Sequence, residues 1–215
     1  GRVKKAESLG WFVGYMRNLK KPSGRIRLDI GKPVVIEDAP GPDDKRALEK
    51  IAFSVAVEAN RVTPLTVSSV MCLILLGTAP RGVTAGELLA TIGAVKSWAQ
   101  ERGVRLSKEL ESGDDAALSA TVDTLVESGL LTRYEAGSEN IYSIDPAKHP
   151  MASYYRNVIV HHFLDRAMIE IVLFQLRDAD SGDATAAFWA HVDRLRDLFK
   201  FEFFYPPRDE HHAAI

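Results

Sequence analysis

The sequence lacks features that are typical of several common protein classes. It contains a single cysteine, Cys72, so no internal disulfide can form, and a reducing compartment is consistent with that usage. Its formal net charge is −2 and its isoelectric point is about 6.3. A protein that mainly binds phosphate backbones would carry an excess of lysine and arginine. The composition therefore excludes a disulfide scaffold and argues against nucleic acid as a partner.

Long hydrophobic runs are missing as well. The longest uncharged run, residues 62–80, is interrupted by proline, glycine, serine and threonine. A helix from Pro64 to Leu76 would be roughly 20 Å long, whereas the hydrocarbon core of a bilayer is about 30 Å thick. We therefore predict a helix buried in the protein, with Thr63 as its N-cap and Pro64 at its first position.

Motifs for nucleotide binding and for several kinds of catalysis are also lacking. The sequence has neither of the common glycine-rich nucleotide loops and no nucleophile elbow. His161 and His162 precede Asp165 by about one helical turn, a spacing that can bind a metal or shuttle protons. No HExxH motif or Cys/His framework accompanies them. We therefore predict no metal site and interpret the histidines as packed side chains paired with Asp165.

What the sequence does contain is typical of a globular, mainly helical chain. It has 215 residues, of which 46% are hydrophobic and 26% charged, enough for one large or two small domains. Apolar periodicity and capping residues predict a series of helices. Besides the buried helix, these cover residues 5–19, 43–60, 84–102, 114–128, 152–178 and 184–200.

Two short strands are predicted near the start of the chain. Residues 25–30 alternate polar and apolar side chains, and residues 34–36 form an apolar run. Two such strands are marginally stable alone and need further strands or a helix. We therefore predict that residues 1–40 finish a larger α/β domain whose body lies upstream, and that residues 41–215 form a helical domain. The predicted fold class is α+β, mainly α-helical.

Residues 84–145 have the order of a winged helix, with helices followed by a hairpin of residues 130–135 and 140–144. Thr84 and Glu87 form a capping-box pattern at the first of these helices. Binding DNA would require cations on the helix of residues 114–128, which contains no lysine or arginine. We predict a winged-helix-like packing module that binds no nucleic acid.

Candidate substrate-binding residues lie at two places in the sequence. Tyr155, Arg156 and Asn157 follow Tyr154 in a polar and aromatic cluster near the start of a long helix. Arg156 could hold a phosphate or carboxylate through its planar guanidinium. Arg61 could reach a ligand or bind a carbonyl at the end of its own helix. At both places the alternative is a structural role, as an anchor between helices or domains or as a helix cap.

Aromatic residues lie beside lysine and arginine near both ends of the chain. Such a mixture suits a membrane interface, where amphipathic rings and cations meet lipid headgroups, and it suits ordinary packing as well. The aromatic residues are Trp11, Phe12 and Tyr15 at one end, and Phe201, Phe203, Phe204 and Tyr205 at the other.

Four segments in order resemble the C-terminal portion of the glycerol-3-phosphate and dihydroxyacetone-phosphate acyltransferases. The first is similar to the segment that closes the family's acyltransferase domain. The others are similar to the helix pair that follows it, to the long C-terminal helix and to the closing residues. The segments are residues 23–34, Asn60-Arg61-Val62-Thr63-Pro64 with Leu73-Ile74-Leu75-Leu76, Tyr154-Tyr155-Arg156-Asn157 with His161 and Phe163, and residues 198–206.

The resemblance implies that the whole protein transfers an acyl group from acyl-CoA or acyl carrier protein to the sn-1 hydroxyl of glycerol 3-phosphate, giving lysophosphatidic acid. Dihydroxyacetone phosphate is the alternative acceptor. The resemblance further implies that residues 1–40 end the acyltransferase domain. It implies peripheral association with the cytoplasmic face of the plasma membrane, and no cofactor.

The family's chemistry rests on a His-x-x-x-x-Asp motif, in which the histidine acts as general base on the acceptor hydroxyl. None of the six histidines here begins that motif. We therefore expect the catalytic residues in a missing N-terminal acyltransferase portion, and no acyl transfer by this segment alone. A chain that begins with Gly1 is consistent with a fragment. The alternative from another class is a winged-helix regulatory or interaction module without catalysis.

Overall fold

The computed structural model describes residues 10, 12, 16, 27–37, 39–41, 43–135, 137–177 and 182–215. The chain divides into two units, residues 1–30 and residues 31–215. In the first unit, Gly10, Phe12 and Met16 are helical, as predicted, and the rest of the predicted helix 5–19 lies outside the described residues. The elements discussed below belong to the second unit.

The second unit is mainly helical and carries a small antiparallel sheet, which confirms the predicted class at that level. The α-helices are α1 Lys45–Val62, α2 Val67–Thr78, α3 Ala85–Glu101, α4 Lys108–Ser112, α5 Asp115–Glu127, α6 His149–Ile159, α7 Leu164–Leu176, α8 Ala184–Phe199 and α9 Arg208–Ala214. The strands are β1 Val83–Thr84, β2 Thr132–Tyr134 and β3 Ile141–Ser143, and 3-10 turns occupy Pro146–Lys148 and Val160–Phe163.

The two predicted strands near the start of the chain are wrong for the described residues. Residues 27–36 form no strand, and Val35 and Ile36 are 77% and 50% exposed. A strand needs a hydrogen-bonded neighbour for its backbone groups, and the sheet of the described residues consists of β1, β2 and β3 alone. One backbone donor of this segment bonds a side chain and not a neighbouring strand, because the Lys32 N–H donates to the Glu58 carboxylate at 3.1 Å.

Two helix boundaries also differ from the prediction. Thr63 ends α1 instead of starting α2, since its N–H donates to the Asn60 carbonyl at 3.1 Å. The N-cap of α2 is Thr66, whose hydroxyl oxygen accepts the Ser69 N–H at 3.2 Å. The predicted single helix 152–178 is divided by the 3-10 turn Val160–Phe163, so that α6 and α7 are separate helices.

The sheet confirms the predicted hairpin. Its strand order is β1-β3-β2, and Tyr142 in β3 pairs with Val83 on one side and with Arg133 on the other. The capping box at α3 is also present, because Thr84 and Glu87 bond each other's backbone N–H at 3.3 and 3.1 Å. Arg133, the cation of the hairpin, is bound by Asp123 of α5 at 2.5 Å and by Glu135 at 2.6 Å.

Helix α2 forms the centre of the core, which confirms the predicted buried helix. Its residues Val70, Met71, Cys72 and Leu75 are at most 2% exposed. It packs most extensively against α6, and also against α3 and α5. Within the described part of the chain, no helix combines the length and apolar character needed to cross a bilayer.

The burial of Cys72 makes its thiol a reporter of unfolding. Burial raises its pKa to about 11, so at neutral pH the reactive thiolate is scarce as well as inaccessible. We expect a thiol-specific chromogenic disulfide to leave the native chain unmodified and to label one thiol per chain in denaturant. The labelled fraction should follow the loss of helical circular dichroism. Rapid labelling of the native chain would contradict this burial.

Candidate functional site

Two adjacent histidines hold the end of α1. Nε2 of His161 lies 2.9 Å from the Asn60 carbonyl oxygen, and Nε2 of His162 lies 2.9 Å from the Thr63 carbonyl oxygen. The last carbonyls of a helix lack the usual partner four residues onward. Here the Asn60 oxygen accepts the Thr63 N–H as well as His161, and His162 is the donor to the Thr63 oxygen. The 3-10 turn Val160–Phe163 presents both rings to that end, which explains why the long helix is interrupted here.

The bonds determine the protonation of both rings. A carbonyl oxygen only accepts, so each Nε2 must carry the hydrogen. Burial, together with the neighbouring His162 ring, lowers the pKa of His161 to about 4. Burial also lowers the pKa of His162. At neutral pH both histidines are therefore neutral donors.

The predicted pairing of these histidines with Asp165 is wrong. The Asp165 carboxylate instead lies 2.9 Å from Nε2 of His211, in α9. The reason is geometric, because the 3-10 turn directs His161 and His162 toward α1, whereas Asp165 lies in the first turn of the next helix, α7. Among the described residues, no three His, Cys, Asp or Glu side chains are grouped so that they could hold a metal ion.

The opposite side of the same helix end contacts the segment of residues 31–33. Arg61 and Glu58 form an ion pair at 2.5 Å, and Glu58 also accepts the Lys32 N–H. The hydrogen bond from Arg61 is the main reason that the pKa of Glu58 is lowered. A Cβ on Gly31 would lie 3.3 Å from the Glu58 carboxylate and 3.4 Å from the Val62 side chain. Glycine thus permits the close approach of this segment to α1.

The Tyr155–Asn157 cluster lies on α6 and is not joined to Arg61 by the hydrogen bonds and ion pairs of the described residues. Arg156 donates from Nε and Nη2 to the Asn157 amide oxygen, at 3.1 and 2.9 Å. Tyr155 is half-buried and packs against the core, where its ring also contacts that of Tyr154 edge to face. Arg156 is half-buried and Asn157 is exposed.

A second pair of histidines, which the sequence analysis did not single out, anchors α9. Nε2 of His211 bonds Asp165 and Nε2 of His212 bonds Asp193, both at 2.9 Å. His211 is only 1% exposed. The partners are 46 and 19 residues away in sequence, so no local spacing pattern could have indicated them.

The low pKa of His161 makes the stability of the chain depend on pH. In the unfolded chain a histidine has its ordinary pKa near 6.5, so below that pH the unfolded state binds more protons than the folded state. We expect the free energy of unfolding to have its full value above pH 6.5 and to decrease as the pH is lowered toward 4. Urea titrations across this range would measure it. In the double substitution His161→Gln, His162→Gln, which keeps a donor but cannot titrate, the fall should be smaller; an unchanged profile would contradict the assignment.

The similarity of this chain to known proteins extends over all or nearly all of its length. Residues 1–215 match a family model described as "Glycerol-3-phosphate acyltransferase C-terminal region". Proteins named "Putative acyltransferase plsB1" from Mycobacterium bovis and Mycobacterium tuberculosis are 30% identical over 218 residues, which is 97% of this chain and 35% of theirs. The chain thus spans about a third of the length of these curated relatives.

One solved structure is also similar in part. The circadian clock associated protein Pex from Anabaena aligns with 56% of this chain and 97% of its own, at 17% identity and a TM-score of 0.32. A similarity at this level does not establish a shared fold.

Proposed function

Because this chain belongs to the family of glycerol-3-phosphate acyltransferase C-terminal regions, we propose that the whole protein transfers an acyl group from acyl-CoA or acyl carrier protein to the sn-1 hydroxyl of glycerol 3-phosphate. The product is lysophosphatidic acid, a phospholipid precursor. The observation that carries the proposal is the family match over all 215 residues. The 30% identity to proteins named as acyltransferases supports the same reaction class.

In this proposal the catalytic His-x-x-x-x-Asp motif lies in an N-terminal portion, and the present segment serves as its support. Residues 1–40 end the acyltransferase domain, and residues 41–215 form the helical domain with a winged-helix-like module at residues 84–145. The contacts around the end of α1 favour this role. Residues 31–33 are fixed to α1 through Glu58, and α1 is fixed to the rest of the helical unit through His161 and His162. These contacts connect residues 31–33 to the rest of the helical unit through α1.

Among the candidate substrate-binding residues, Arg156 is best suited to a phosphate. Its guanidinium bonds the neutral amide of Asn157, and no carboxylate pairs with it among the described residues. The charge of Arg61, by contrast, is met by Glu58. We propose that Arg156, supported by Asn157 and Tyr155, contributes to binding the phosphate of glycerol 3-phosphate, while Arg61 acts mainly in the support of residues 31–33.

We further propose that the protein associates with the cytoplasmic face of the plasma membrane through its closing aromatic residues. Phe201 is 83% exposed, with the Lys200 ammonium 5.6 Å from its ring, and Phe204 is also exposed. An exposed ring beside a cation is suited to the headgroup region. Tyr205 is buried and Phe203 half-buried, so these two serve packing. Of the aromatic residues at the other end, Trp11 and Tyr15 lie outside the described residues.

The experiment that tests the proposed function is an acyl-transfer assay on the protein expressed with its N-terminal portion. Labelled glycerol 3-phosphate and dihydroxyacetone phosphate would be offered separately, with acyl-CoA and acyl carrier protein as donors. We expect lysophosphatidic acid from glycerol 3-phosphate, and no product when the 215-residue segment is assayed alone. Preference for dihydroxyacetone phosphate would show that the protein is a dihydroxyacetone-phosphate acyltransferase. If neither acceptor is acylated, the proposed reaction is wrong.

The role of Arg156 is tested in the same assay. We expect Arg156→Gln to raise the KM for glycerol 3-phosphate about tenfold, equivalent to about 1.4 kcal/mol of lost binding, with a smaller change in kcat. Arg166→Gln on α7 serves as the matched control, since its exposed guanidinium is paired with Glu170 and lies outside the proposed site. Equal effects on KM in the two variants, or none in Arg156→Gln, would leave Arg156 as a packing residue.

A further inference from the structure

An apolar cavity of about 280 Å³ lies between α3 and α5. Each helix lines it with residues spaced three or four apart, which places them on one face of that helix. Ala85, Leu88, Leu89 and Ile92 line it from α3, and Asp115, Leu118, Ser119 and Val122 line it from α5, while Val67 and Tyr142 complete the wall. Two of these side chains, Ala85 and Ser119, are small, so the space between the two faces is only partly filled.

The wall of the cavity combines buried apolar surface with a polar edge. Leu88, Ile92 and Leu118 are at most 8% exposed, whereas Leu89 is 51% exposed. Asp115 and Ser119 are exposed and supply a carboxylate and a hydroxyl on the α5 side. A pocket lined by apolar side chains, with a few polar groups to one side, is the usual form of a small-molecule site.

The charge of the edge restricts what could enter. The residues that line the cavity include the acidic Asp115 and no lysine or arginine. A carboxylate or phosphate head would therefore be repelled and would find no cation to pair with. A neutral head with a hydroxyl could donate a hydrogen bond to the Asp115 carboxylate.

We propose that this cavity binds an amphiphile whose hydrocarbon chain fills the apolar part and whose head carries no negative charge and donates a hydrogen bond to Asp115. The volume sets the size of the occupant. An apolar cavity of about 150 Å³ holds benzene, so roughly twice that volume suits a ligand of about a dozen non-hydrogen atoms. A ten-carbon alcohol has that size. This site is separate from the proposed acyl transfer, and neither depends on the other.

The test uses the 215-residue chain and three probes with the same chain length: 1-decanol, decanoate and decylammonium. Binding is followed by methyl NMR shifts of Leu88, Ile92 and Leu118 and by the change in Tm. We expect decanol to shift these methyl signals and to raise Tm, because a ligand that binds only the folded state stabilises it. Decanoate should bind at least tenfold more weakly. Decylammonium, whose head also donates to Asp115, should bind at least as well as decanol. No shift with decanol, or stronger binding of decanoate than of decanol, overturns the proposal.

Two variants test where the hydrocarbon chain and the polar head of the ligand bind. Val122→Phe fills the cavity and should weaken decanol binding at least tenfold, whereas Leu173→Phe, on the exposed part of α7, should leave it unchanged. Asp115→Asn should reduce the preference for decanol over decanoate. If Val122→Phe does not fold, Ser119→Leu provides a second substitution that fills the cavity. The methyl shifts of the unmodified chain also show, without any variant, whether decanol binds in the cavity. Unchanged binding in a folded filling variant overturns the assignment to this cavity.

Discussion

Replacing both His161 and His162 by alanine should lower the free energy of unfolding by about 2–5 kcal/mol. Loss of His162 leaves the half-buried Thr63 carbonyl without its donor, at a cost of about 1–3 kcal/mol, and loss of His161 removes one of the two donors to the Asn60 carbonyl, which still accepts the Thr63 N–H. Both half-buried rings are also lost from the contact between α1 and the turn Val160–Phe163. Urea unfolding followed by circular dichroism measures the change, with an unchanged denaturant slope as the sign that the folded state is otherwise intact.

The matched control is the double substitution to glutamine, whose amide can donate to the same carbonyls. It should recover a substantial part of the lost stability at pH 7.5. If the alanine and glutamine variants are equally unstable, the rings act through packing and the two hydrogen bonds contribute little. In the whole protein, the alanine variant should also lose acyl transfer at temperatures where it stays folded, since residues 31–33 depend on the position of α1. Full activity there would contradict the supporting role.

His211→Ala should destabilise the chain by about 2–4 kcal/mol, the range found when a large buried side chain is removed. The ring is 1% exposed, bonds Asp165 and meets the Tyr205 ring edge to face at 5.1 Å. Its loss leaves a cavity beneath α9 and removes one of the attachments of that helix, while His212 still bonds Asp193. We therefore expect proteolysis within residues 206–215 to become faster than in the unmodified chain, in addition to a lower midpoint in urea.

Glu210→Ala is the control for this substitution, because Glu210 lies in the same helix and is exposed. It should change the free energy of unfolding by less than about 0.5 kcal/mol. A similar loss in both variants would contradict the view that the burial of His211 determines the stability of α9, since alanine itself favours the helix.

The sequence alone predicts the structure correctly where the pattern that indicates an element is local. The capping box at Thr84 and Glu87 depends on four consecutive residues, and it is present as predicted. The buried helix α2 follows from an uncharged run, and the hairpin of β2 and β3 follows from apolar residues on both sides of a polar turn. For the capping box and the hairpin the stabilising contacts lie within a few residues of the pattern, whereas for α2 the uncharged run predicts burial without showing that α6 packs against it.

Prediction failed where the partner is distant in sequence. The spacing of His161, His162 and Asp165 suggested a local pair, but the partners are Asn60, Thr63 and His211. A pattern along one helix cannot show that the helix is interrupted or which distant carbonyls it meets. The strands of residues 25–30 and 34–36 fail for a related reason, since alternation indicates a strand only if a neighbouring strand is available.

The attachment of α1 has a consequence for how the chain folds. The first long helix is held by His161 and His162, about 100 residues onward, and its Phe53 ring meets that of Phe204, 5.2 Å away between centroids, near the end of the chain. Contacts between residues so far apart close large loops and raise the contact order, which slows folding. We therefore expect α1 to dock late in folding. During synthesis on the ribosome, α1 emerges well before His161, His162 and Phe204, the partners that hold it.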